Sequence, residues 1–382
     1  MNVAFFVQYC HPTGTYFRWH NLAVALTQVG VKVDVYAGDF DYKSKRRIEK
    51  RDGVAYYITP SLITCRLFTN PSDPFSALRR LLNPPQKKYD VYHLFQPFLQ
   101  AYVPWIRLKK KVNALFIYDW DDLWTGGLFG EPNNLKEKYV HRLVKKLESK
   151  LPSASHGVTV CSSFLMEKIA PPTLVEILHN GFWLKTDIEK NEAREKWKLH
   201  GPYFYMAYVG RTANELSWIK HAVDRIEEYF SDVRLIIAGP SPQALEGAGL
   251  LNHPKVDYFG EVSPLEASEI AAASDLGLIP LEDTAFNQSR FPIKFFDFLS
   301  VGTPVYFSGV GEICKIGKNI SLAFEGPSDS AGWGSGLKDV LHQVRQSHSV
   351  VEVKELVERY AWPALGEQLV QFYTDLTNGK KR

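Results

Sequence analysis

The sequence has 382 residues, more than one hydrophobic core usually serves, so we expect two domains. Apolar residues make up 45% of the chain and charged residues 23%, which excludes a disordered protein and a membrane-spanning one. The net charge of +3 conceals an asymmetry, because 24 Lys and Arg accompany 15 Asp and Glu up to Asn180, and 21 accompany 27 after it.

Two series of apolar, β-branched runs alternate with helical patterns, which predicts parallel strands joined by crossover helices in each series. The runs of the first series are residues 3–7, 31–36, 91–94, 114–118 and 157–160. Those of the second are residues 205–209, 234–238, 256–259, 276–279 and 304–307. The opening run is too short to span a bilayer and lacks the flanks of a signal peptide, so we interpret it as a strand.

A turn-prone pair, Asn180-Gly181, lies between the two series and suits a hinge. We therefore predict one domain over residues 1–180 and a second over residues 181–361. A helix is predicted at residues 351–360, and a last helix, within residues 362–382, is predicted to pack back on the first domain. The apolar stripe of this last helix consists of Leu365, Leu369, Phe372, Tyr373 and Leu376.

The four cysteines are scattered, without the close pairs of a zinc site or the density of a disulfide framework. They are Cys10, Cys65, Cys161 and Cys314. This distribution favours a reducing, cytoplasmic location.

Glycines follow predicted strands at two places where a ligand could approach the backbone. Gly14 precedes a helix whose N-terminus would attract a phosphate, and a simple turn is the alternative. Gly210 and Arg211 end a strand of the second series, where ligands collect in open α/β sheets. A guanidinium there suits a diphosphate, and a surface arginine at a strand end is the alternative.

Residues 287–305 form the densest group of candidate site residues. Pro292 can occupy the first turn of a helix that ends at Gly302. Lys294 and Asp297 are three residues apart on one face, so that an ammonium for phosphate and an acceptor for ribose hydroxyls would lie side by side. The alternative is a salt bridge between these two residues on a solvated helix.

The order of these segments resembles that of the retaining glycosyltransferases of family 4, which have the GT-B fold. The resemblance covers most of the chain and is carried by the Gly14 loop, Asp90-Val91-Tyr92-His93, residues 158–162, His179-Asn180-Gly181, Val209-Gly210-Arg211, Ile237-Ala238-Gly239-Pro240, residues 259–262 and 273–275, and Gly302-Thr303-Pro304-Val305. It implies an α/β protein of two Rossmann-like domains that face each other across a cleft. The first domain would bind the acceptor and the second the nucleotide sugar.

The resemblance also implies roles for individual residues. Arg211 and Lys294 would stabilise the leaving diphosphate, with Gly14, Gly210, Gly239, Arg290 and Asp297 completing the donor site. Two departures affect this assignment: Ser289 stands at the first position of the family's glutamate pair, with Asp297 at the second, and residues 212–219 lack the family's lysine. Lys294 or Arg290 is expected to replace that lysine.

Four side chains are candidates for contacts to the acceptor or to the donor sugar. Asp121 stands where many family members have a histidine after the fourth strand, so it is also a catalytic candidate. Asp119, His93 and Ser289 are the others, with a structural turn as the alternative for the aspartates and a core position as the alternative for His93.

The run of Asp119, Asp121 and Asp122 invites a site for Mg²⁺ or Mn²⁺. The resemblance implies instead that protein cations and helix dipoles stabilise the diphosphate. We therefore expect neither a metal nor a cofactor, with the nucleotide sugar acting as substrate.

The helical stretch over residues 135–151 places apolar residues beside lysines, a pattern typical of interfacial helices. With the basic first part of the chain, it suggests an anionic membrane surface and a glycan or lipid-linked acceptor, and no nucleic acid. The protein would then be cytoplasmic or peripheral on the inner face of the membrane. An ordinary amphipathic helix packed on a sheet is the alternative.

These features predict transfer of a hexosyl group from a UDP- or GDP-sugar to a hydroxyl, in polysaccharide biosynthesis. Retention of anomeric configuration follows from the resemblance alone. Two alternatives remain: another GT-B enzyme acting on UDP-sugars, such as an epimerase or an inverting transferase, and a catalytically silent GT-B protein that binds or regulates a partner.

Overall fold

The computed structural model describes residues 1–12, 14–39, 45–62, 73–183, 189–210, 215–346 and 357–379. Cys65, Arg211 and most of the helix predicted at residues 351–360 lie outside these ranges. The chain divides into two compact units. Unit 1 comprises Met1–Gly181 and Trp362–Arg382, and unit 2 comprises Phe182–Ala361.

Unit 1 alternates strands and helices from its first residues. The elements are β1 (Asn2–Tyr9), α1 (Tyr16–Gln28), β2 (Lys32–Gly38), β3 (Arg47–Arg51), β4 (Val54–Thr59), α2 (Pro74–Leu82), β5 (Val91–Phe95), α3 (Leu99–Lys109), β6 (Leu115–Trp120), α4 (Leu135–Ala154), β7 (Gly157–Val160), α5 (Ser163–Met166) and β8 (Val175–Ile177). Within the described residues they form a sheet in the order β3-β4-β2-β1-β5-β6-β7-β8. Strands β1, β5, β6 and β7 are buried along almost their whole length, as parallel strands covered on both faces are.

The hairpin β3–β4 is a feature that the sequence analysis did not predict. Strand β3 pairs antiparallel with β4 at the edge of the sheet, and its residues alternate between half-buried and exposed. Its arginines bind carboxylates: Arg47 contacts Asp39 and Glu49, and Arg51 contacts Glu49. Both arginines of β3 are therefore paired within the fold.

Unit 2 repeats the α/β alternation. Its elements are α6 (Lys190–Lys196), β9 (Phe204–Val209), α7 (Leu216–Glu227), β10 (Val233–Ala238), α8 (Pro242–Gly247), β11 (Val256–Tyr258), α9 (Pro264–Ala273), β12 (Leu276–Ile279), α10 (Ala285–Ser289), α11 (Lys294–Leu299), β13 (Val305–Ser308), α12 (Glu312–Gly317), β14 (Ala323–Gly326) and α13 (Ser330–Gln346). The described strands are all parallel, in the order β11-β10-β9-β12-β13-β14. Helix α11 begins at Lys294, two residues later than a start at Pro292 would place it.

The last helix, α14 (Trp362–Gly379), belongs to unit 1. The apolar stripe predicted for it is buried throughout. At Gly366 a Cβ atom would lie 3.0 Å from the Cβ of Ala25, so the absence of a side chain lets α14 pack closely on α1. No helix in the described part of the chain has the length and apolar character needed to cross a bilayer.

Candidate functional site

The strand order of unit 2 reverses between β9 and β12, and the carboxyl ends of such strands are where open α/β sheets bind ligands. Gly210 directly follows β9 at this point. A Cβ on Gly210 would lie 3.4 Å from both Lys294 Nζ and Tyr208 Oη, so these groups stand against its backbone. Gly239, with φ of +110°, follows β10, and a Cβ there would lie 2.6 Å from the Gly210 carbonyl oxygen. Gly239 thus allows two loops to meet at this edge, and its contact with a donor stays a prediction.

Two cations converge on Glu215 beside Gly210. Lys294 Nζ donates to Glu215 Oε2 at 2.7 Å, and Arg290 Nη2 donates to Oε1 at 3.0 Å. Tyr208 Oη also donates to Oε2, at 2.8 Å. The sequence analysis missed Glu215, although it lies in the stretch where the family's lysine is absent. The structure therefore brings together Lys294 and Arg290, which the sequence had proposed as substitutes for that lysine.

Burial and charge pull the pKa values of this group in opposite directions. Burial lowers the pKa of Lys294 from its usual value, while Glu215 raises it in part. Burial alone would raise the pKa of Glu215, but Lys294 and Arg290 bring it below its usual value. Glu215 is accordingly a carboxylate, flanked by two positive charges.

Arg290 keeps hydrogen-bonding capacity beyond its contact with Glu215. It caps the C-terminus of α10, and its guanidinium lies 4.9 Å from the centre of the Phe286 ring. Among the described residues, its buried Nε has no hydrogen-bond partner. A buried N–H without a partner is costly, so this atom is a natural contact for a bound anion.

Ser289 and Asp297, which replace the family's two glutamates, differ in accessibility. Ser289 is completely buried, and its hydroxyl donates to the Phe286 carbonyl at 2.8 Å within its own helix. The prediction that Ser289 contacts the donor sugar is therefore wrong for this conformation. Asp297 is half-buried in the first turn of α11, and its contact with ribose stays a prediction.

In unit 1, Arg18 and Asp119 form a fully buried ion pair, the sealed pair, at the carboxyl end of β6. Arg18, on the inner face of α1, donates from Nε and Nη2 to the two oxygens of Asp119, each at 2.8 Å. Thr159 Oγ1 also donates to Asp119, at 2.6 Å, and Arg18 Nη1 donates to Asn180 Oδ1 at 2.9 Å. Both carboxylate oxygens are thus occupied, and the prediction that Asp119 contacts a sugar is corrected to a structural role.

His93 is a core residue. It is fully buried on β5, and burial lowers its pKa to about 3. Its Nδ1 lies 2.6 Å from Tyr373 Oη on α14, and its Nε2 lies 3.3 Å from Thr159 Oγ1. Because the Thr159 proton goes to Asp119, the neutral ring carries its proton on Nε2 and accepts from Tyr373. The prediction that His93 contacts a sugar is wrong, and its alternative, a satisfied core histidine, is correct.

Asp121 directly follows β6, and its carboxyl group is satisfied only in part, by a hydrogen bond with the Thr15 side chain. It is 4% exposed, and within the described part of the chain its Oδ1 has no hydrogen-bond partner. Burial, with the nearby charges of Asp122 and Asp119, raises its pKa well above the usual value. A carboxyl group in this state can exchange hydrogen bonds with a sugar hydroxyl, so Asp121 remains the unit 1 candidate for substrate contact.

The loop that carries Asp121 is anchored by Glu148, another residue that the sequence analysis missed. Glu148 lies on the buried face of α4, and its Oε1 accepts from Trp120 Nε1 at 3.2 Å and from Trp124 N at 2.8 Å. Its Oε2 accepts from Thr125 N at 3.0 Å and from the Thr125 hydroxyl. Four donors thus hold both ends of the loop on one helix.

Gly14 precedes α1 with φ of +56°, a conformation that favours glycine, and no described atom would lie within 4 Å of a Cβ there. The backbone at Gly14 is therefore approachable. Its contact with phosphate stays a prediction.

Among the described residues, Asp119, Asp121 and Asp122 do not converge into a group that could hold a metal ion. The side chains that converge closely enough are Asp224, Glu227 and His253, on the surface of unit 2. There Lys220 already contacts both oxygens of Asp224, and His253 Nδ1 accepts from the Lys255 backbone N–H. That hydrogen bond places the imidazole proton on Nε2, the atom nearest the carboxylates, which opposes metal binding.

Known proteins resemble this chain in sequence over part of its length. A family model described as Glycosyl transferases group 1 matches residues 204–343. TuaH of Bacillus subtilis (strain 168), named as a teichuronic acid biosynthesis glycosyltransferase, is 25% identical over 214 residues, covering 53% of this chain and 52% of TuaH. The aligned part thus spans about half the length of this curated relative.

Solved structures resemble the whole chain. Sucrose-phosphate synthase from Thermosynechococcus elongatus aligns over 99% of both chains, with a TM-score of 0.76 and 16% identity. Anabaena HepE in complex with UDP-glucose aligns over 98% of this chain and 100% of its own, with a TM-score of 0.68 and 13% identity. The chain has the two-domain α/β fold with parallel sheets of GT-B glycosyltransferase structures, as the sequence predicted. Fold and family match together support a GT-B glycosyltransferase.

Proposed function

We propose that this protein transfers a hexosyl residue from a UDP- or GDP-sugar to a hydroxyl of a glycan, a glycolipid or a small acceptor, with retention of anomeric configuration. The observation that carries the proposal is the cation pair Lys294 and Arg290 at the strand-order reversal of unit 2. This pair lies within the segment that matches the glycosyltransferase family model.

In the transfer, the bond between the anomeric carbon and the β-phosphate oxygen breaks, and the acceptor oxygen bonds to the anomeric carbon. The acceptor hydroxyl gives up its proton to the oxygen of the leaving diphosphate, and the nucleoside diphosphate leaves. Lys294 and Arg290 offset the charge that develops on the leaving diphosphate, joined by Arg211, which the sequence predicts to stand next to Gly210. Asp297 accepts from the ribose hydroxyls, and Asp121 contacts a sugar hydroxyl.

The first test is calorimetric titration with UDP, GDP and their glucose and mannose derivatives. HepE was solved with UDP-glucose, which makes UDP the first nucleotide to try. Binding of a nucleotide sugar, followed by NMR of the product anomer, tests donor and retention in turn. A protein that binds none of them would instead be a silent GT-B protein, the alternative that the buried Ser289 favours.

The charge stabilisation proposed here comes from protein groups and requires no metal. Activity should therefore survive EDTA. Loss of activity that only Mg²⁺ or Mn²⁺ restores would contradict this part of the proposal.

The acceptor is proposed to lie at an anionic membrane surface, which α4 contacts. The outer face of α4 exposes Leu135 and Tyr139, one turn apart and 84% and 64% exposed. The same face carries exposed cations: Lys136, Lys138, Arg142, Lys145, Lys146 and Lys150. Exposed apolar side chains beside lysines suit the boundary between lipid headgroups and acyl chains.

Vesicle co-sedimentation tests this surface. The protein should pellet with vesicles that contain phosphatidylglycerol, but not with phosphatidylcholine alone, and salt should release it. A Leu135→Ser/Tyr139→Ser variant should pellet less, with Leu265→Ser on unit 2 as the control for an exposed leucine. Equal, negligible pelleting on both lipids would favour a soluble acceptor.

A further inference from the structure

Glu215 lies at the centre of the cationic group of unit 2, and it comes from a different part of the chain than the cations. It directly precedes α7, whereas Arg290 caps α10 and Lys294 begins α11. Its side chain is 8% exposed and receives three donors, two on Oε2 and one on Oε1. One carboxylate thereby joins three helix termini.

We propose that Glu215 is a positioning residue, a carboxylate that holds the Lys294 ammonium and the Arg290 guanidinium side by side so that a diphosphate meets a preassembled pair of cations. The inference rests on the proposed function, because it concerns the same donor site. It assigns a role to a residue that touches the cations and not the donor.

The geometry supports positioning because each cation is fixed from two sides. Lys294 Nζ contacts Glu215 and lies 4.6 Å from the centre of the Tyr208 ring, and Arg290 contacts Glu215 and the Phe286 ring. The group of two cations and one carboxylate keeps a net charge of +1, so it can still attract a diphosphate. Ordering two long side chains before binding reduces the entropy that binding itself must supply.

The opposite role is competition, in which Glu215 occupies the place of the donor phosphate. The two roles predict opposite effects of neutralising Glu215. If it competes, Glu215→Gln binds a diphosphate more tightly. If it positions, the carboxamide can accept from one cation only and directs its NH₂ at the other, so binding weakens.

Protonation adds a second readout. Among the described residues, the charged groups that act on Lys294 are Glu215 and Arg290, and the titratable Tyr208 lies against its ammonium. Burial lowers the pKa of Lys294 and Glu215 opposes this effect, so neutralising Glu215 lowers the Lys294 pKa further. The contribution of Lys294 to diphosphate binding exists below its pKa and disappears as pH rises through it. The alkaline limit of binding should therefore move to lower pH in Glu215→Gln.

The experiment is calorimetric titration of the full chain with pyrophosphate and UDP between pH 6 and pH 9.5. Glu215→Gln should bind about tenfold more weakly at pH 8 and lose binding at lower pH than the wild type. Glu215→Asp keeps the charge but is one methylene shorter, so it should restore the pH limit and only part of the affinity. Glu246→Gln, an exposed residue of α8, is the matched control.

Wild-type affinity at every pH, or tighter binding by Glu215→Gln, would overturn the proposal. If the wild type binds neither probe, the proposed donor site fails, and the positioning role is then tested without ligand. Lysine ¹³Cε NMR, with the Lys294 signal assigned through Lys294→Arg, should show a lower titration midpoint in Glu215→Gln. An unchanged midpoint would contradict the positioning role on its own. Glu215→Asp provides the same comparison should Glu215→Gln not fold.

Discussion

Each unit contains a carboxylate paired with one or two cations near the carboxyl ends of its strands. The two groups differ in how exposed their cations are and in whether every hydrogen-bond donor of those cations has a partner. In unit 1 the side chains of Arg18 and Asp119 are 2% and 0% exposed, and both Asp119 oxygens are bonded inside the core. In unit 2 Lys294 and Arg290 are 16% and 21% exposed, and Arg290 Nε has no partner among the described residues. The sealed pair serves stability, and the accessible group can bind a ligand.

The largest expected effect tests the sealed pair. Arg18→Met should destabilise the protein by about 3–5 kcal/mol, because it leaves Asp119 buried without its counter-charge. Urea unfolding measures the change. Arg225→Met removes an exposed ion pair in which Arg225 Nη1 and Glu228 Oε2 are 3.7 Å apart. This change should lower the free energy of unfolding by less than about 0.5 kcal/mol. Similar losses in both variants would contradict the assignment of Arg18 to the core.

The accessible group should respond in turnover and not in stability. Lys294→Ala should lower turnover by a factor on the order of 10², the size expected when a donor to a developing anion is lost. The same loss is expected for Arg211→Ala, at a residue that the sequence alone predicts to contact the diphosphate. The melting temperature should change little for Lys294→Ala, because Arg290 still pairs with Glu215. Lys220→Ala, which removes a half-buried lysine of α7 paired with Asp224, should leave turnover unchanged. Near-normal activity in Lys294→Ala would remove it from the diphosphate site.

The free energy of unfolding should depend on pH because of Asp121. Its pKa in the folded state lies well above the usual 3.8, so the folded protein holds a proton that the unfolded chain has already lost. Wild-type stability therefore falls as pH rises from about 4 through the raised pKa, by about 1.4 kcal/mol for each pH unit. Asp121→Asn cannot titrate, so its advantage should vanish below pH 4 and grow as pH rises from 4 towards the raised pKa. The exposed Asp375→Asn supplies the baseline, and a constant difference across this range would rule the assignment out.

The smallest expected effect concerns Asp297. Asp297→Asn keeps one acceptor oxygen for ribose, whereas Asp297→Ala keeps none, so nucleotide affinity should fall more for Ala, by about three- to tenfold. Asp297→Glu should bind only if the ribose can shift by roughly 1.5 Å, one C–C bond length. Calorimetry with UDP and GDP provides the measurement. Equal affinity in all three variants would show that Asp297 does not contact the ribose.

The sequence predicted most of the buried parallel strands, because their apolar runs are continuous, but it missed β4, which pairs parallel with β2. It missed β3 because an edge strand needs no apolar face, and residues 47–51 are mostly charged and alternate between half-buried and exposed. It also missed β8 and β14, which are short and only partly buried, so that they carry little apolar signal. Strands that form because they pair with a neighbouring strand are therefore the hardest to predict from the local sequence pattern.

Only part of the candidate site could be predicted from the sequence, because the residues that pair in it are far apart in the chain. Lys294 and Arg290 lie in a dense motif, whereas their partner Glu215 is 79 and 75 residues away in the chain. Arg18 and Asp119 are 101 residues apart, so nothing local marks either as one half of an ion pair. His93 and Ser289 were misassigned because the sequence gives their chemistry but not their depth. Burial decides the role of a polar residue, and burial is set by tertiary packing.

Helix α14 sets the order in which the two units can complete their folding during synthesis. It supplies Tyr373 to His93 and packs against α1, yet the ribosome makes it only after the whole of unit 2. Unit 2 can fold as soon as it emerges, whereas unit 1 waits with an uncovered apolar surface until residues 362–376 are released. The nascent N-terminal half is thus the part of this protein that a chaperone would be expected to hold.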